Sequence, residues 1–359
     1  MNIKSYFPIT KDITYLDTAA RGLLSKQVYE TKQEDIDFLY KQTYGYQDEE
    51  DLIVKDTKQH LSKIFNVHPF NIGISQNFSV AFNFVLDGLD KNNSVLMLDG
   101  DYPSVVLPIK SRKFKYSTLA ISHDVEDRIY SFIQQNRPNV FALSLTQFLN
   151  GLHIRPSFLA KLKQDFPELL ILADATQYLG VEPFDFEKSK IDLLISSTYK
   201  WLNAGFGSAV LFMSEVLKTK LSSHVIGANS LIDKTKSDSK PMGFLEPGHY
   251  DLNSIKSLKA ALNLHYDIIG ITSVYSKIQK LSQMAFEAFC SEHLLEETVV
   301  QRKFHSSIFN LNIHQDKFHF FEDENIYLSI RGKGLRLSLH YYNTQEDLER
   351  FMDVFRKIP

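Results

Sequence analysis

Two short runs place charged side chains where apolar strands give out. In Leu170-Ile171-Leu172-Ala173-Asp174-Ala175-Thr176-Gln177 a carboxylate follows four apolar residues. In Asp192-Leu193-Leu194-Ile195-Ser196-Ser197-Thr198-Tyr199-Lys200-Trp201 a lysine appears just past the next apolar run. Ligands of open α/β sheets bind beyond the carboxyl ends of the strands, so Asp174 and Lys200 can converge on one small molecule. Taken singly, a strand-end carboxylate is commonly a helix cap, and a lysine there is commonly solvated. On successive strands the two suit one chemistry. A lysine amine condenses with a carbonyl, and an acid that keeps a pyridine nitrogen protonated makes the ring an electron acceptor, which is what pyridoxal phosphate requires. Burial lowers the amine's pKa and turns it into a nucleophile and proton carrier.

The elements that must position this pair follow from the apolar pattern. Ser94–Leu98, Val140–Ser144, Leu169–Ala173, Leu193–Ser196 and Ala209–Met213 are short continuous apolar runs, as expected of strands buried on both faces. Helical segments such as Val125–Gln135 and Ser157–Asp165 lie between them. The reading is an α/β fold, a mostly parallel sheet between helices. Earlier, Gln27–Tyr40 and Asp48–Phe65 have helical spacing, and the strand Asn71–Ser75 runs into a helix opened by Gln76-Asn77-Phe78-Ser79. Beyond Asn253 the texture changes to long helices (Ile255–Ile268, Thr272–Glu292), strands at Ser306–Ile313, Ile326–Ser329 and Leu335–Leu339, and an amphipathic final helix, Thr344–Lys357. The expected division is a large domain over 15–250 and a smaller C-terminal α+β domain over 251–359, with residues 1–14 packing on the latter. The polar stretch Thr235–Pro241 reads as a mobile surface loop.

The 359 residues are 43% hydrophobic and 23% charged, ordinary for a chain with a full core. A formal charge of -3 without a long basic run leaves no footprint for nucleic acid. No apolar run approaches a membrane span, and the start lacks the apolar core of a signal peptide. The single cysteine, Cys290, permits neither an intrachain disulfide nor a cysteine metal cluster. A cytoplasmic setting is the expectation, with no metal.

Asp174-Ala175-Thr176-Gln177, followed by Ser197-Thr198-Tyr199-Lys200-Trp201-Leu202-Asn203 with Gly205 and Gly207, resembles the class V aminotransferase family, a group of fold-type I pyridoxal-phosphate enzymes. Tyr15–Gly22 is similar to the family's opening strand, and Leu335–His340 with Tyr342-Asn343-Thr344 to its C-terminal signature. The resemblance implies Lys200 as the Schiff-base lysine, Asp174 as partner of the pyridine nitrogen, and Gln177 as hydrogen-bond donor to the ring's phenolic oxygen. It implies phosphate contacts from Ser197, Tyr199, Ser79 and the backbone of Phe78, at a helix N-terminus that favours an anion. Ser79 also fits a plain N-cap. Tyr102, in Asp101-Tyr102-Pro103-Ser104, would stack on the ring, or else be a surface turn tyrosine. His249 would complete the site of a neighbouring subunit in a homodimer, or be structural. Arg336 would hold an amino acid's carboxylate through paired hydrogen bonds; the alternatives are a solvated arginine on a polar strand face, or Arg331 in its place. Gln147 and Asn150 are loose matches for pocket residues.

Three functions fit this pattern. The first expectation is aminotransferase-type chemistry on an amino acid or related amine, with an epimerase close to it. The second is a lyase of the kynureninase or selenocysteine-lyase kind. The third is a regulatory cofactor-binding protein, which an intact Lys200, Asp174 and Arg336 set argues against. Cysteine desulfurase is disfavoured, because Tyr327–Gly334 lacks the loop cysteine that such enzymes carry.

Overall fold

The computed structural model describes residues 3–42, 44–222, 225–230 and 240–358. Of the polar stretch expected to be mobile, Thr235–Ser239 lie outside the described residues; Lys240 opens a single helical turn, Lys240–Gly243.

Twelve strands occur among the described residues: β1 (Thr14–Tyr15), β2 (Ile72–Ser75), β3 (Ser94–Asp99), β4 (Lys115–Ala120), β5 (Val140–Ser144), β6 (Leu170–Asp174), β7 (Leu193–Ser197), β8 (Ala209–Met213), β9 (Ile308–Leu311), β10 (Ile326–Tyr327), β11 (Ser329–Arg331) and β12 (Gly334–Ser338). Seven form the main sheet, in the order β2-β8-β7-β6-β5-β3-β4. Neighbours from β4 to β7 are parallel, while β8 is antiparallel to both β7 and β2. Hence β2 runs with β7, and their last residues lie on one edge: Ser75 and Ser197 both pair with Ala209.

The continuous apolar runs are divided by the pleat, which sends alternate residues to opposite faces. Leu96, Leu98, Phe141, Leu143, Ile171 and Leu194 join one apolar cluster with α1 (Lys26–Lys41), α2 (Tyr46–Phe65), α5 (Val125–Asn136) and α6 (Pro156–Asp165). Val95, Met97, Val140, Leu170, Leu193 and Ile195 meet α3 (Phe78–Gly88) and α4 (Pro103–Ser111) on the other face. Helices on both sides of a mostly parallel sheet are the α/β layering read from the sequence.

The second body has an antiparallel sheet, β11-β12-β9, under the helices Ile271–Ser291 and Gln345–Phe355. Leu281, Ala285, Phe289, Leu348 and Phe351 pack on Phe309, Leu311, Leu335 and Leu337. Asp347 Oδ2 accepts from Thr344 N–H at 2.9 Å at the start of the last helix. β1 pairs with β10, Phe7 packs on Tyr341 and Tyr342, and Lys4 reaches Asp347 at 3.4 Å, so the N-terminal segment is tied to this body. The helix just past the expected division at 250/251 still packs on the main sheet. Leu258, Ala261 and Leu262 of the helix Leu252–Leu262 belong to the core of the main sheet, while Leu264 and Ile269 of the π-helical stretch Asn263–Ile269 pack with Phe7, Tyr341 and Tyr342. The change of composition at Asn253 therefore does not mark the start of a new core.

Candidate active site

The parallel register brings Ser144, Asp174 and Ile195 side by side, so residues just past β5, β6 and β7 share one sheet edge. A pocket of about 490 Å³ opens there. Of the residues singled out from sequence, Phe78, Ser79, Tyr102, Asp174, Gln177, Ser197, Tyr199 and Lys200 all line it.

Lys200 is 7% exposed. Burial holds its amine down to about 8, against the opposing pull of the Asp174 carboxylate; Arg336 and Arg331 add to the depression. Asp174 is pushed up to about 6 by burial, although it accepts hydrogen bonds from Thr176 and faces Lys200. Each group's charged form is therefore costly in this pocket, and each is poised to exchange protons near neutral pH. Lys200 Nζ stands 5.7 Å from the ring centres of both Tyr102 and Tyr199.

Asn77 caps α3, its Oδ1 accepting from Val80 N at 3.0 Å, so the cap is Asn77 and not Ser79. Ser79 instead donates its hydroxyl to Ser104 Oγ at 2.8 Å, joining α3 to α4. Phe78 N–H donates to Ser197 Oγ at 3.0 Å, which locks the start of α3 to the end of β7. An eleven-residue helix thus aims its N-terminus into the pocket beside two hydroxyls, an arrangement that suits an anion. Tyr199 stacks on Phe206 at 4.6 Å, and burial raises its phenol to about 12, so it remains a hydrogen-bond donor. Gln177 accepts from Trp201 Nε1 at 2.6 Å and donates through Nε2 to Ala19 O at 2.9 Å, which leaves one N–H of its amide.

Tyr102 is held at the pocket wall, not on the outer surface. Its N–H donates to Asp101 Oδ1 at 2.6 Å, while Asp101 Oδ2 accepts from Ser144 N at 2.8 Å, and its ring meets the Phe148 ring edge-on. Arg336, on β12, is buried at 2% exposure rather than solvated, and donates to Phe148 O at 2.7 Å. It therefore adjoins the pocket through Phe148. Ser338 and His340 are buried with it, and His340 Nε2 lies 3.0 Å from Trp201 O and 2.9 Å from Asn203 Oδ1. Arg331 is exposed and donates to the carbonyl of its neighbour Ile330.

Three expected contributors lie elsewhere. His249 is 63% exposed, with Nδ1 3.1 Å from Glu50 Oε2, outside the pocket of its own chain. Asn150 turns its Oδ1 to Leu152 N, and Gln147 is buried beside Asp101. Thr146, Phe148, Thr176 and Phe206 line the pocket without having been singled out as site residues. Thr176 stood inside the quoted Asp-Ala-Thr-Gln run; the others carry no spacing that would mark them.

The backbone around Lys200 is packed closely. Gly22 N donates to Tyr199 O at 2.9 Å, and a Cβ at Gly22 would fall 1.9 Å from Lys200 O. Only glycine admits that approach. No cluster of three or more potential metal ligands occurs among the described residues, and none of their helices is long and apolar enough to cross a membrane.

The family model for Aminotransferase class-V matches residues 14–351. A probable cysteine desulfurase of Ureaplasma parvum serovar 3 is 22% identical over 99% of this chain and 96% of its own length. An uncharacterised protein of Schizosaccharomyces pombe is 25% identical over 203 residues, 52% of this chain but only 46% of that protein, so the chain spans about half of it. Among solved structures, a lysine-to-alanine mutant of C-DES with glycine covalently linked to its pyridoxal-phosphate cofactor superposes over the full length of both chains, with a TM-score of 0.89 at 17% identity. C-DES as a cystine C-S lyase, in complex with its product cysteine persulfide, gives 0.86 at 17% identity over 98% of this chain and 99% of that one. A cysteine desulfurase from Thermococcus onnurineus NA1 gives 0.84 at 17% identity, covering 99% and 96%.

Proposed function

The chain belongs to the aminotransferase class-V family of pyridoxal-phosphate enzymes, and from that premise we propose that it acts on an α-amino acid as a lyase, removing a sulfur-bearing group from Cβ. The observation that carries the cofactor assignment is the buried Lys200–Asp174 pair, amine depressed and carboxyl raised, at the wall of one pocket.

The residues present fit pyridoxal phosphate. Lys200 offers an amine that is neutral in a large fraction near pH 8, Asp174 a carboxylate for the pyridine nitrogen, Gln177 a spare N–H, and the start of α3 with Ser79 and Ser197 a cradle for phosphate. Bound there, the cofactor supplies an electron sink for the charge that develops at the substrate's Cα. The rest falls to the chain. Arg336 holds the α-carboxylate, Lys200 Nζ takes and returns protons, and Tyr102 and Phe148 wall off water on one side.

Release at Cβ is favoured over transamination by the cystine C-S lyase among the similar structures. A persulfide carried on the enzyme's own cysteine is disfavoured. Cys290 is the only cysteine, and it lies in the helix Ile271–Ser291, packed beside the core of the second body. Where a cysteine loop would stand, β11 and β12 are joined by a tight turn in which Arg331 pairs with Gly334. Aminotransferase chemistry is the second reading, supported by the family match alone.

We also propose a homodimer. Phe206 is 60% exposed at the mouth of the pocket. A second copy over this mouth would cover it and could bring its own His249 to the site.

The test is to load the protein with pyridoxal phosphate and incubate it with a panel of amino acids, cysteine and cystine included. Expected products are a 2-oxo acid and ammonia in equal amounts with the released sulfur compound, without any added amino acceptor. Accumulation of pyridoxamine phosphate in place of ammonia would replace this reading with the second.

A further inference from the structure

Behind the pocket lies a second cavity of about 550 Å³, between the turn after β6, the helix Ile271–Ser291 and the segment leading into β9. Thr146 and Gln177 line both spaces. Three side chains connect them. Glu182 Oε1 stands 3.3 Å from His153 Nε2, and His153 Nδ1 stands 3.0 Å from Thr146 Oγ1.

The row is held firmly. Thr146 and His153 face each other across an antiparallel bridge, flanked by Gln147 N–H to Leu152 O and Ile154 N–H to Leu145 O, each 2.8 Å. The imidazole lies flat on Tyr178, 5.4 Å between ring centres and 6° between planes. Arg302 Nη2 donates to His153 O at 2.7 Å, while its guanidinium is occupied by the two carboxylate oxygens of Glu126. Thr146 is 2% and His153 8% exposed.

Donor chemistry fixes the polarity of the row. An ionised carboxylate only accepts, so the hydrogen between His153 and Glu182 sits on Nε2. A neutral ring then has a lone pair at Nδ1, which the Thr146 hydroxyl fills. With its hydrogen turned away, Thr146 shows only oxygen lone pairs to the pocket. When His153 is charged, Nδ1 donates instead, and Thr146 turns its hydrogen outward. The other titratable groups lining this cavity are Tyr178 beneath the ring, Tyr275 and Lys280 on the long helix, and Arg155, Arg302, Lys303 and His305. His305 is lowered to about 4 by burial and stays neutral. Among the described residues, Glu182 is the only carboxylate lining this cavity.

We propose that Thr146, His153 and Glu182 form a proton relay that receives the ammonium proton of an incoming amino acid. An amino acid arrives protonated at nitrogen, and its amine must be neutral before it can act as a nucleophile. The proton passes from the substrate nitrogen to Thr146 Oγ1 as the Thr146 hydrogen passes to His153 Nδ1. One N–H bond breaks at the substrate and one forms on the ring, the hydroxyl is regenerated, and the positive charge moves to an imidazolium held by the Glu182 carboxylate. The proton then leaves through the second cavity. This rests on the pocket being an amino-acid site, as proposed above.

Two measurements test it. In the cofactor-free protein, ring nitrogen NMR should find neutral His153 protonated at Nε2, with the Nδ1–H form gaining in Glu182→Gln; a wild-type ring protonated at Nδ1 overturns the relay. In the loaded enzyme, His153→Ala should lower kcat/KM about 100-fold at neutral pH, within the range of general base catalysis, with cofactor absorbance unchanged. Added imidazole, entering by the second cavity, should restore at least about tenfold of that loss. If His153→Ala does not fold, His153→Asn keeps a partner for Thr146 that cannot carry a proton, and should show the same loss. Wild-type kcat/KM in either variant, or no rescue of the alanine variant, overturns the relay. Failure to bind pyridoxal phosphate would instead remove the reading of the pocket and leave the NMR result standing.

Discussion

Arg336 Nη2 stands 3.5 Å from Asp17 Oδ1, and yet two buried nitrogens of the guanidinium, Nε and Nη2, have no hydrogen-bond partner. Asp17 is turned partly to the hydroxyl of Ser329, and burial raises its carboxyl. The ion pair offsets the charge without filling the donors. A substrate carboxylate would fill them with two parallel hydrogen bonds.

From this geometry, Arg336→Lys should leave pyridoxal-phosphate uptake intact and raise KM for the amino acid by tenfold or more, since each tenfold corresponds to about 1.4 kcal/mol of lost binding. Steady-state kinetics and a cofactor titration on one preparation separate the two effects. An unchanged KM would move the carboxylate site elsewhere.

The depressed amine of Lys200 predicts the pH dependence of cofactor capture. The neutral amine is the reactive form, so the capture rate should rise through a midpoint near pH 8, not near the ordinary 10.5. Asp174 pulls that midpoint up, so Asp174→Asn should lower it further. Stopped-flow absorbance across pH 6–10 reads both. Linkage adds a stability signature. The folded amine holds fewer protons than the unfolded one between about 8 and 10.5, so the contribution of Lys200 to stability rises with pH over that window. Denaturant titrations of wild type and Lys200→Met at pH 7.5 and 10 should differ in that direction.

Gly22→Ala should damage the site from outside it. Its Cβ cannot stand 1.9 Å from Lys200 O, so the backbone at Tyr199–Lys200 must move. A loss of about 1–3 kcal/mol in stability is expected, together with weaker cofactor retention on gel filtration. Full retention would mean that the loop yields without moving the lysine.

Oligomeric state is the simplest measurement. Sedimentation of the loaded protein should give a dimer, and Phe206→Asp should shift it toward monomer and expose the pocket. A wild-type monomer with full turnover would remove the shared-site proposal.

The sequence made the apolar strands legible because burial on both faces leaves uninterrupted Val, Ile and Leu. It did not reveal β4, Lys115-Tyr116-Ser117-Thr118-Leu119-Ala120, an edge strand that is almost wholly exposed and therefore free of apolar constraint. Lys200 and Asp174 stood out because chemistry dictates their type, whereas Gln177 and Ser197 were named only through the family resemblance. Thr146 and Glu182 were not, since a threonine hydroxyl or a single carboxylate has a dozen uses, and only the folded chain brings each to His153. Ser79 and Asn77 sit two residues apart in one polar run, and which of them caps α3 depends on the strand that feeds it.

Lys200 sits in a loop clasped by stretches far before it and far after it in sequence. Gly22 N–H holds Tyr199 O, Gln177 binds both Ala19 O and the Trp201 indole, and His340 reaches Trp201 O and Asn203. Asn343 then ties the C-terminal stretch back to Tyr15 O, and Ala19 N to Ser338 Oγ. During synthesis the lysine leaves the ribosome long before residues 336–343. The nascent chain can build its sheet early, but it cannot finish the seat of its cofactor until residues 336–343 have followed. Vitamin capture then reports that this distant stretch is present, and a chain cut short before Arg336 would lack it.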